Sequence, residues 1–392
     1  MNSVFVVAAQ RTAIGNFGGS LKDSPPGTLG ATVTRAAISR AALDPARIGH
    51  VVFGQVVPTV PEDAYIARVA AVNAGIPVET PALTVNRLCG SGLQAIISAA
   101  QAIMLGDCEV AVGGGVEVMS RAPHLLTTAR FGQKMGDVAV IDTMIGALTD
   151  PFNRVHMGVT AENVAERYQI TRGDQDALAL ISQQRAARAI REGFFKDQIV
   201  PIEVKAKGKV AAFDTDEYVR MDAKAEDFSK LKPVFKRDGS VTAGNASGIN
   251  DGAAAVVLAS EQAVKEQGLR PMARLVAYGH AGVDPAFMGI GPVPATRIAL
   301  ERAGLKIGDI DVIEANEAFA AQACAVSREL GFDAGKVNPN GSGISLGHPV
   351  GATGAIITTK LIYEMQRTDA RYGLVTMCIG GGQGIAAIFE RA

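Results

Sequence analysis

An excess of charge of one sign is what this chain lacks. Thirty-eight Lys and Arg stand against 39 Asp and Glu, leaving a net charge of −1 over 392 residues. Nucleic acid and anionic membrane surfaces both select for a clear basic excess, so neither is expected as a main partner. No basic run exceeds KAKGK (205–209), and aromatics make up only 5% of the chain, too few for a surface that stacks bases. Cysteine is scarce too. Cys89, Cys108, Cys324 and Cys378 are scattered with no CxxC pair. That argues against a disulfide framework or structural zinc, and the expected address is a reducing cytoplasm. No uninterrupted apolar run reaches the roughly 18 residues of a membrane helix. The opening MNSVFVVAAQRTAIG has neither a basic n-region nor a long apolar h-region, so it reads as a buried strand.

What is present is core-forming sequence. With 48% hydrophobic and 20% charged residues the chain can bury two or three domains of about 150 residues. Strand-like runs (VFVVAA, HVVFGQVV, EVAVGGG) alternate with helix-like runs (Thr32–Leu43, Leu93–Leu105), the pattern of α/β layers. An internal repeat underlies it. Thr34–Ile48 aligns without gaps to Thr296–Ile310, with seven of fifteen positions identical. QAIISAAQAIMLGDCEVAVGGG near 94–115 resembles GAIITTKLIYEMQRTDARYGLVTMCIGGG (354–382), and DGAAAVVLAS (251–260) resembles GQGIAAIFE (382–390). Two copies this far apart read as a duplicated domain rather than a solenoid. The expected division is 1–117 plus 251–270, an inserted lid or binding domain over 118–250, and 271–392. Within the insert, amphipathic helices are expected near Thr160–Arg167 and Gln175–Glu192.

One stretch poses a chemical question: VNRLCGSGLQAIISAAQA (85–102) sets a thiol just ahead of a helix. Leu93, Ile96, Ile97, Ala100, Ile103 and Met104 share one helical face, with Ser91 the expected cap. At that position the helix dipole and free N–H groups would lower the Cys89 pKa from about 8.5. GSGLQA formally fits the dinucleotide G-x-G-x-x-A. However, Cys89 would crowd a pyrophosphate, and Asp107 and Glu109 precede the next strand instead of ending it. A buried inert cysteine is the plain alternative. Against it stand NPNGSGISLGHPVGATGA (338–355), with His348 in a glycine-rich loop, and VTMCIGGGQG (375–384), where Cys378 ends an apolar strand. By the repeat, Gly380–Gly382 takes the place of Gly113–Gly115, and the Cys89 loop matches the region just after His348. Pseudo-twofold symmetry would then bring Cys89, His348 and Cys378 near one point.

In that company the motifs NRLCGSGLQA, GGGVEVMSRAP, HMGVTAENVAERY, VTAGNASGINDGAAA, VIEANEAFAAQ, NPNGSGISLGHPVGATGA and CIGGGQG resemble those of the thiolase family, in the family's order and over essentially the whole chain. LCGSG resembles the biosynthetic type rather than the degradative one. Arg87, within NRLCGSGLQAI, and YGHAGVDPAFMGIGPVPAT resemble the β-ketothiolases of polyhydroxyalkanoate synthesis, which accept somewhat longer chains. The resemblance implies two α/β halves in a five-layer αβαβα core with an inserted loop domain. It implies reversible condensation of two acyl-CoA molecules to 3-ketoacyl-CoA, by ping-pong kinetics through an acyl-Cys89 thioester. A degradative 3-ketoacyl-CoA thiolase of broader or longer chain range is the alternative.

The roles implied by resemblance fit the chemistry. Cys89 is the nucleophile, His348 its base, and Cys378 moves the proton at the α-carbon. Asn316 holds a water that makes one oxyanion hole with His348, and the N–H groups of Cys89 and Gly380 make the other. Coenzyme A serves as substrate and product, with no covalently bound cofactor and no metal. His156, Met157, Ala243 and Ser247 line the pantetheine tunnel, and Leu148, Met288, Ala318 and Phe319 surround the acyl end. Arg220 and Phe235 meet the nucleotide, while Asp227 stands where relatives often carry Ser. Glu117 and His124 read as structural, Glu317 as an orienter of Asn316, and Cys108 and Cys324 as inert on core-like helix or strand positions. LLTTARFGQKMGD resembles the arm that pairs dimers into a homotetramer. A decarboxylating ketoacyl synthase would carry a second His where Cys378 stands, and a non-catalytic acyl-CoA binder would have lost one of the three residues.

Overall fold

The computed structural model describes residues 3–206 and 209–392. Met1, Asn2 and the Lys207–Gly208 pair inside KAKGK lie outside the described residues. Nine strands carry the architecture: β1 (Val4–Arg11), β2 (His50–Gly54), β3 (Ala82–Val85), β4 (Val110–Val118), β5 (Asn250–Ser260), β6 (Ala273–Gly282), β7 (Val312–Ala315), β8 (Tyr372–Ile379) and β9 (Gln383–Arg391). They run in the order β7-β8-β9-β6-β1-β5-β4-β2-β3, and a two-residue strand, Gly15–Asn16, adds to β5. Between β1 and β6 the ladder is only two pairs long, Phe5–Arg274 and Val6–Ala273. The sheet is therefore two half-sheets joined by a short seam.

Helices fill the space between and outside them. On the N-terminal side are α1 (Pro26–Arg40), α2 (Ile66–Asn73) and α3 (Ser91–Leu105). The excursion carries α4 (Met157–Arg167) and α5 (Arg172–Arg191), and the C-terminal side α6 (Pro292–Ala303), α7 (Ala320–Leu330) and α8 (Val350–Thr368). α8 packs on α3, on β4 and β5 of one half, and on β7 and β8 of the other. Its sequence is buried nearly all round, as a central helix requires. Thr353, Thr358 and Thr359 tolerate that burial because each hydroxyl donates to the carbonyl four residues back. α1 and α2 cover the outer face of the first half and α6 that of the second. The layers run αβαβα.

The first sequence echo spans equivalent pieces, the end of α1 or α6 and the 3-10 turn after it. The glycine echo does not hold. Gly113–Gly115 lie inside β4, where added Cβ atoms would meet the α3 backbone at Ile96, the Phe53 ring and the Gly351 carbonyl, whereas Gly380–Gly382 turn the chain between β8 and β9. The chain leaves the first half after Val118 and returns at Asn250. α4 starts three residues before its expected beginning because the His156 ring accepts the Gly158 N–H at 3.0 Å. α5 starts at Arg172 because Thr171 and Asp174 form a capping box. The window Leu88–Leu105 is long and apolar enough to cross a membrane, yet it is the Cys89 turn followed by α3, and 61% of it is buried. Cys108 sits in the turn before β4 rather than on a helix or strand, and Cys324 on α7; both are free thiols.

Candidate active site

A tight turn after β3 delivers Cys89. Leu88 is held at φ +45°, a region costly for a side chain, so the surrounding bonds must fix it. They do: Asn86 Oδ1 accepts the Leu88 N–H at 2.9 Å, while Ser91 Oγ donates to the Leu88 carbonyl at 2.7 Å and accepts the Arg87 N–H at 2.8 Å. Ser91 thus ties the turn and is not the helix cap, a position held by Gly90 without a side-chain bond. The N–H groups of Gly380 and of Cys89 itself reach the thiol and favour its ionisation. Burial outweighs them, with Glu117 adding to it, and the Cys89 pKa is pushed up to about 11. The lowered value expected from the helix start is overturned by desolvation.

His348 lies two residues before the first residue of α8, as Cys89 does before α3. Its Nδ1 meets Thr353 Oγ1 at 2.7 Å and its Nε2 meets Asn316 Nδ2 at 3.5 Å. Burial depresses its pKa to about 4, so at neutral pH the ring is an uncharged acceptor. Cys378, 1% exposed near the end of β8, is driven well above the usual thiol range by burial first and by the adjacent Cys89 second. An expected value near 8.5 does not apply to it. Gly380 follows; a Cβ there would meet Met157 Cε at 3.1 Å and Leu88 Cδ1 at 3.3 Å.

Asn316 follows β7, its backbone N–H bonded to the Thr376 carbonyl at 3.0 Å. Its Oδ1 is buried with no protein partner and lies toward Gly343. Glu317 does not touch that amide. Its carboxylate accepts from Ser182 of α5 at 2.6 Å and from Asn338 at 2.9 Å, and so fastens the excursion to the end of β7. Glu117 accepts three backbone N–H groups, from Val56, Val57 and Gly351. Burial still pushes its pKa up to about 8. His124 is exposed, in a two-residue strand paired with Ile141–Asp142, and does not line the cavity described next.

Cys89, His348, Cys378 and Gly380 line one cavity of about 580 Å³. Leu148, His156, Met157, Phe235, Ala243, Ser247, Met288, Ala318 and Phe319 line it as well. His156 stacks on Phe235 at 4.8 Å, and Phe235 meets Phe319 edge-on at 6.3 Å. The Ser247 N–H donates to the Ala318 carbonyl at 2.9 Å, joining the two walls. Arg220 is exposed and outside the wall; half-buried Asp227 is outside it too, its carboxylate held by Lys224 N–H and Lys230. Sequence reasoning missed several further wall residues, among them Tyr218, Val234, Ala246, Gly248 and Ile249. Three of these extend TAGNASGIN and were within reach of the motif. Tyr218 gives no local signal; it is placed by a contact made 200 residues away, between Arg11 and Asp216. Among the described residues no cluster of metal-ligating side chains occurs. A thiol with two N–H donors, a neutral imidazole and a second thiol at one end of a mostly apolar cavity suits acyl transfer to sulfur and proton transfer at an adjacent carbon.

Residues 4–262 match the thiolase N-terminal domain and residues 269–391 the thiolase C-terminal domain. The chain is 65% identical over 389 residues to β-ketothiolase BktB of Cupriavidus necator, covering 99% of each chain. It is 52% identical to an acetyl-CoA acetyltransferase of Chromobacterium violaceum, again over 99% of each chain. Among solved structures, an acetyl-CoA acetyltransferase of Bacillus anthracis superposes with a TM-score of 0.98 at 48% identity, covering 100% of this chain and 99% of that one. Human mitochondrial 3-ketoacyl-CoA thiolase in complex with CoA gives 0.97 at 46% identity, covering 100% and 98%. With both family domains matched in order and relatives aligned end to end, this chain belongs to the thiolase family.

Proposed function

We propose that this protein is an acetyl-CoA C-acetyltransferase of the β-ketothiolase type, catalysing the reversible condensation of two acyl-CoA molecules to a 3-ketoacyl-CoA and free CoA. The observation that carries this is the meeting of Cys89, His348 and Cys378 in one cavity, with the Gly380 N–H on the Cys89 thiol. In the cleavage direction Cys89 Sγ gives its proton to His348 and bonds to the ketone carbon. The C–C bond breaks, and its electron pair goes to the acetyl-CoA carbon as an enolate. Cys378, whose burial keeps it a neutral thiol, gives that carbon its proton. CoA thiol then gives its proton to the Cys378 thiolate and attacks acyl-Cys89, and the departing Cys89 sulfur takes back the proton held by His348. Condensation is the reverse. Oxyanion stabilisation falls to the N–H groups of Cys89 and Gly380 at one carbonyl, and to His348 with an Asn316-held water at the other.

The pantetheine arm would run past His156, Met157, Ala243 and Ser247, the acyl end against Leu148, Met288, Ala318 and Phe319, and the nucleotide would meet Phe235 and Arg220 at the mouth. Exposed apolar residues on the arm, Leu125, Leu126, Phe131 and Met135, support pairing of dimers into a homotetramer. The 65% identity to a β-ketothiolase of Cupriavidus necator supports the β-ketothiolase reading over the degradative alternative, and service in polyhydroxyalkanoate synthesis rests on the sequence resemblance at Arg87 and its neighbours. Four free cysteines support a cytoplasmic address. The test is acetyl capture from acetyl-CoA, read by mass spectrometry. Cys89→Ala should take up no acetyl group, and Cys378→Ala should form acetyl-enzyme yet fail to condense. An acetyl group on any residue other than Cys89 in the intact protein overturns the assignment.

A further inference from the structure

Which nitrogen of His348 carries the proton decides whether the ring can act as a base toward the cavity, and the hydrogen-bond inventory around it answers this. Thr353, in the first turn of α8, is 2% exposed. Its Oγ1 lies 2.7 Å from His348 Nδ1 and 2.9 Å from the Pro349 carbonyl. A hydroxyl has one proton and two lone pairs, whereas a carbonyl can only accept. The Thr353 proton therefore goes to Pro349, and the oxygen is left to accept from Nδ1–H. At the opposite edge of the ring stands Asn316 Nδ2, at 3.5 Å from Nε2, and an amide nitrogen can only donate. The other tautomer would set a donor against a donor at Nε2 and compete for the one Thr353 proton at Nδ1.

We propose that Thr353 is a positioning residue that keeps the His348 proton on Nδ1 and so leaves the Nε2 lone pair as the site of proton transfer. The proposal rests on the reading of His348 as the base. When Nε2 takes a proton, the Thr353 oxygen still accepts from Nδ1–H, so the imidazolium keeps its partner at the back. The same N–H···O contact then holds the ring while Nε2–H serves as a donor to a thioester oxygen. No charged side chain shifts the ring, whose pKa is lowered by burial. The titratable groups sharing its cavity are the thiols of Cys89 and Cys378, the His156 ring and the Tyr218 phenol. Glu117 is bonded to Gly351 in the same first turn of α8.

The experiment follows single-turnover acetylation of the full-length protein by acetyl-CoA across pH, with His348→Asn as the reference for loss of the base. Thr353→Val, which keeps the shape and loses the hydroxyl, should slow acetylation about tenfold to a hundredfold. It should also move the acid limb to lower pH, because the imidazolium loses its acceptor. Thr353→Ser should recover to within about threefold of the parent protein. If the valine variant does not fold, Thr353→Ala carries the same expectation. A valine or alanine variant with the parent's rate and acid limb, beside an inert His348→Asn, overturns the role of Thr353 alone. Parent-like acetylation in His348→Asn overturns the base assignment as well.

Discussion

At the scale of the residue, two effects of opposite sign act on Cys89, and sequence shows only one of them. The helix start and two N–H groups favour the thiolate; packing beside Leu88, Met119 and Val350 favours the thiol. Burial wins, with a value of about 11. At pH 7 the free protein then holds about one thiolate in ten thousand. The neutral His348 beside it stays unprotonated down to about pH 4. The free protein rests as thiol and imidazole, not as an ion pair. Alkylation of Cys89 by iodoacetamide should therefore keep rising from pH 7 to pH 10 with no plateau, since a raised pKa moves the thiolate's appearance upward. A plateau near pH 8.5 in the measured rate would mean the helix start outweighs burial after all.

At the scale of the element, the decisive fact is how closely α3 and α8 approach, because each carries one catalytic group two residues ahead of its first turn. Gly92 and Gly354 make that approach possible. A Cβ on Gly92 would lie 2.6 Å from the Ala355 nitrogen, and one on Gly354 would strike the Leu93 nitrogen. These are backbone atoms in packed helices and cannot swing aside. Gly354→Ala should lower stability by at least about 1–3 kcal/mol. It should also cut acetyl transfer more than the melting shift accounts for, by spreading Cys89 from His348. Unchanged activity with only a lowered melting temperature would separate the helix spacing from catalysis. Sequence made α3 visible through its apolar periodicity and glycine-rich start, and α8 through the likeness of 354–382 to that stretch. It did not reveal the register between the two halves, where the repeated Gly-Gly-Gly misled. One triple is in β4 to clear a helix, Phe53 and the α8 start; the other turns a hairpin. Identical residues answer different steric demands there.

At the scale of the whole molecule, the duplicated halves were legible because their repeats lie in continuous stretches. The way the 118–250 excursion is fastened was not, because its contacts join residues far apart in the chain. Arg11 ends β1 in a sequence that reads only as a buried strand. In the fold its guanidinium is fully buried, bidentate to Asp216 at 2.8 and 2.9 Å, and bonded to Gln198 at 2.8 Å. Asp216 in turn accepts the Ile14 N–H at 2.8 Å, and two residues later Tyr218 enters the cavity wall. A buried pair of this kind adds little net stability, but removing one partner strands the other charge. Arg11→Ala should cost about 3–5 kcal/mol by denaturant unfolding. Because the lost anchor holds Tyr218, KM for acyl-CoA should rise more than kcat falls. Replacing both residues, as Arg11→Met with Asp216→Leu, should recover most of the stability while leaving KM raised, since no charge is then stranded but the Ile14 bond is gone. A single Arg11→Ala variant that unfolds at the parent's midpoint would show that the excursion is held by its other contacts, among them Glu317 with Ser182.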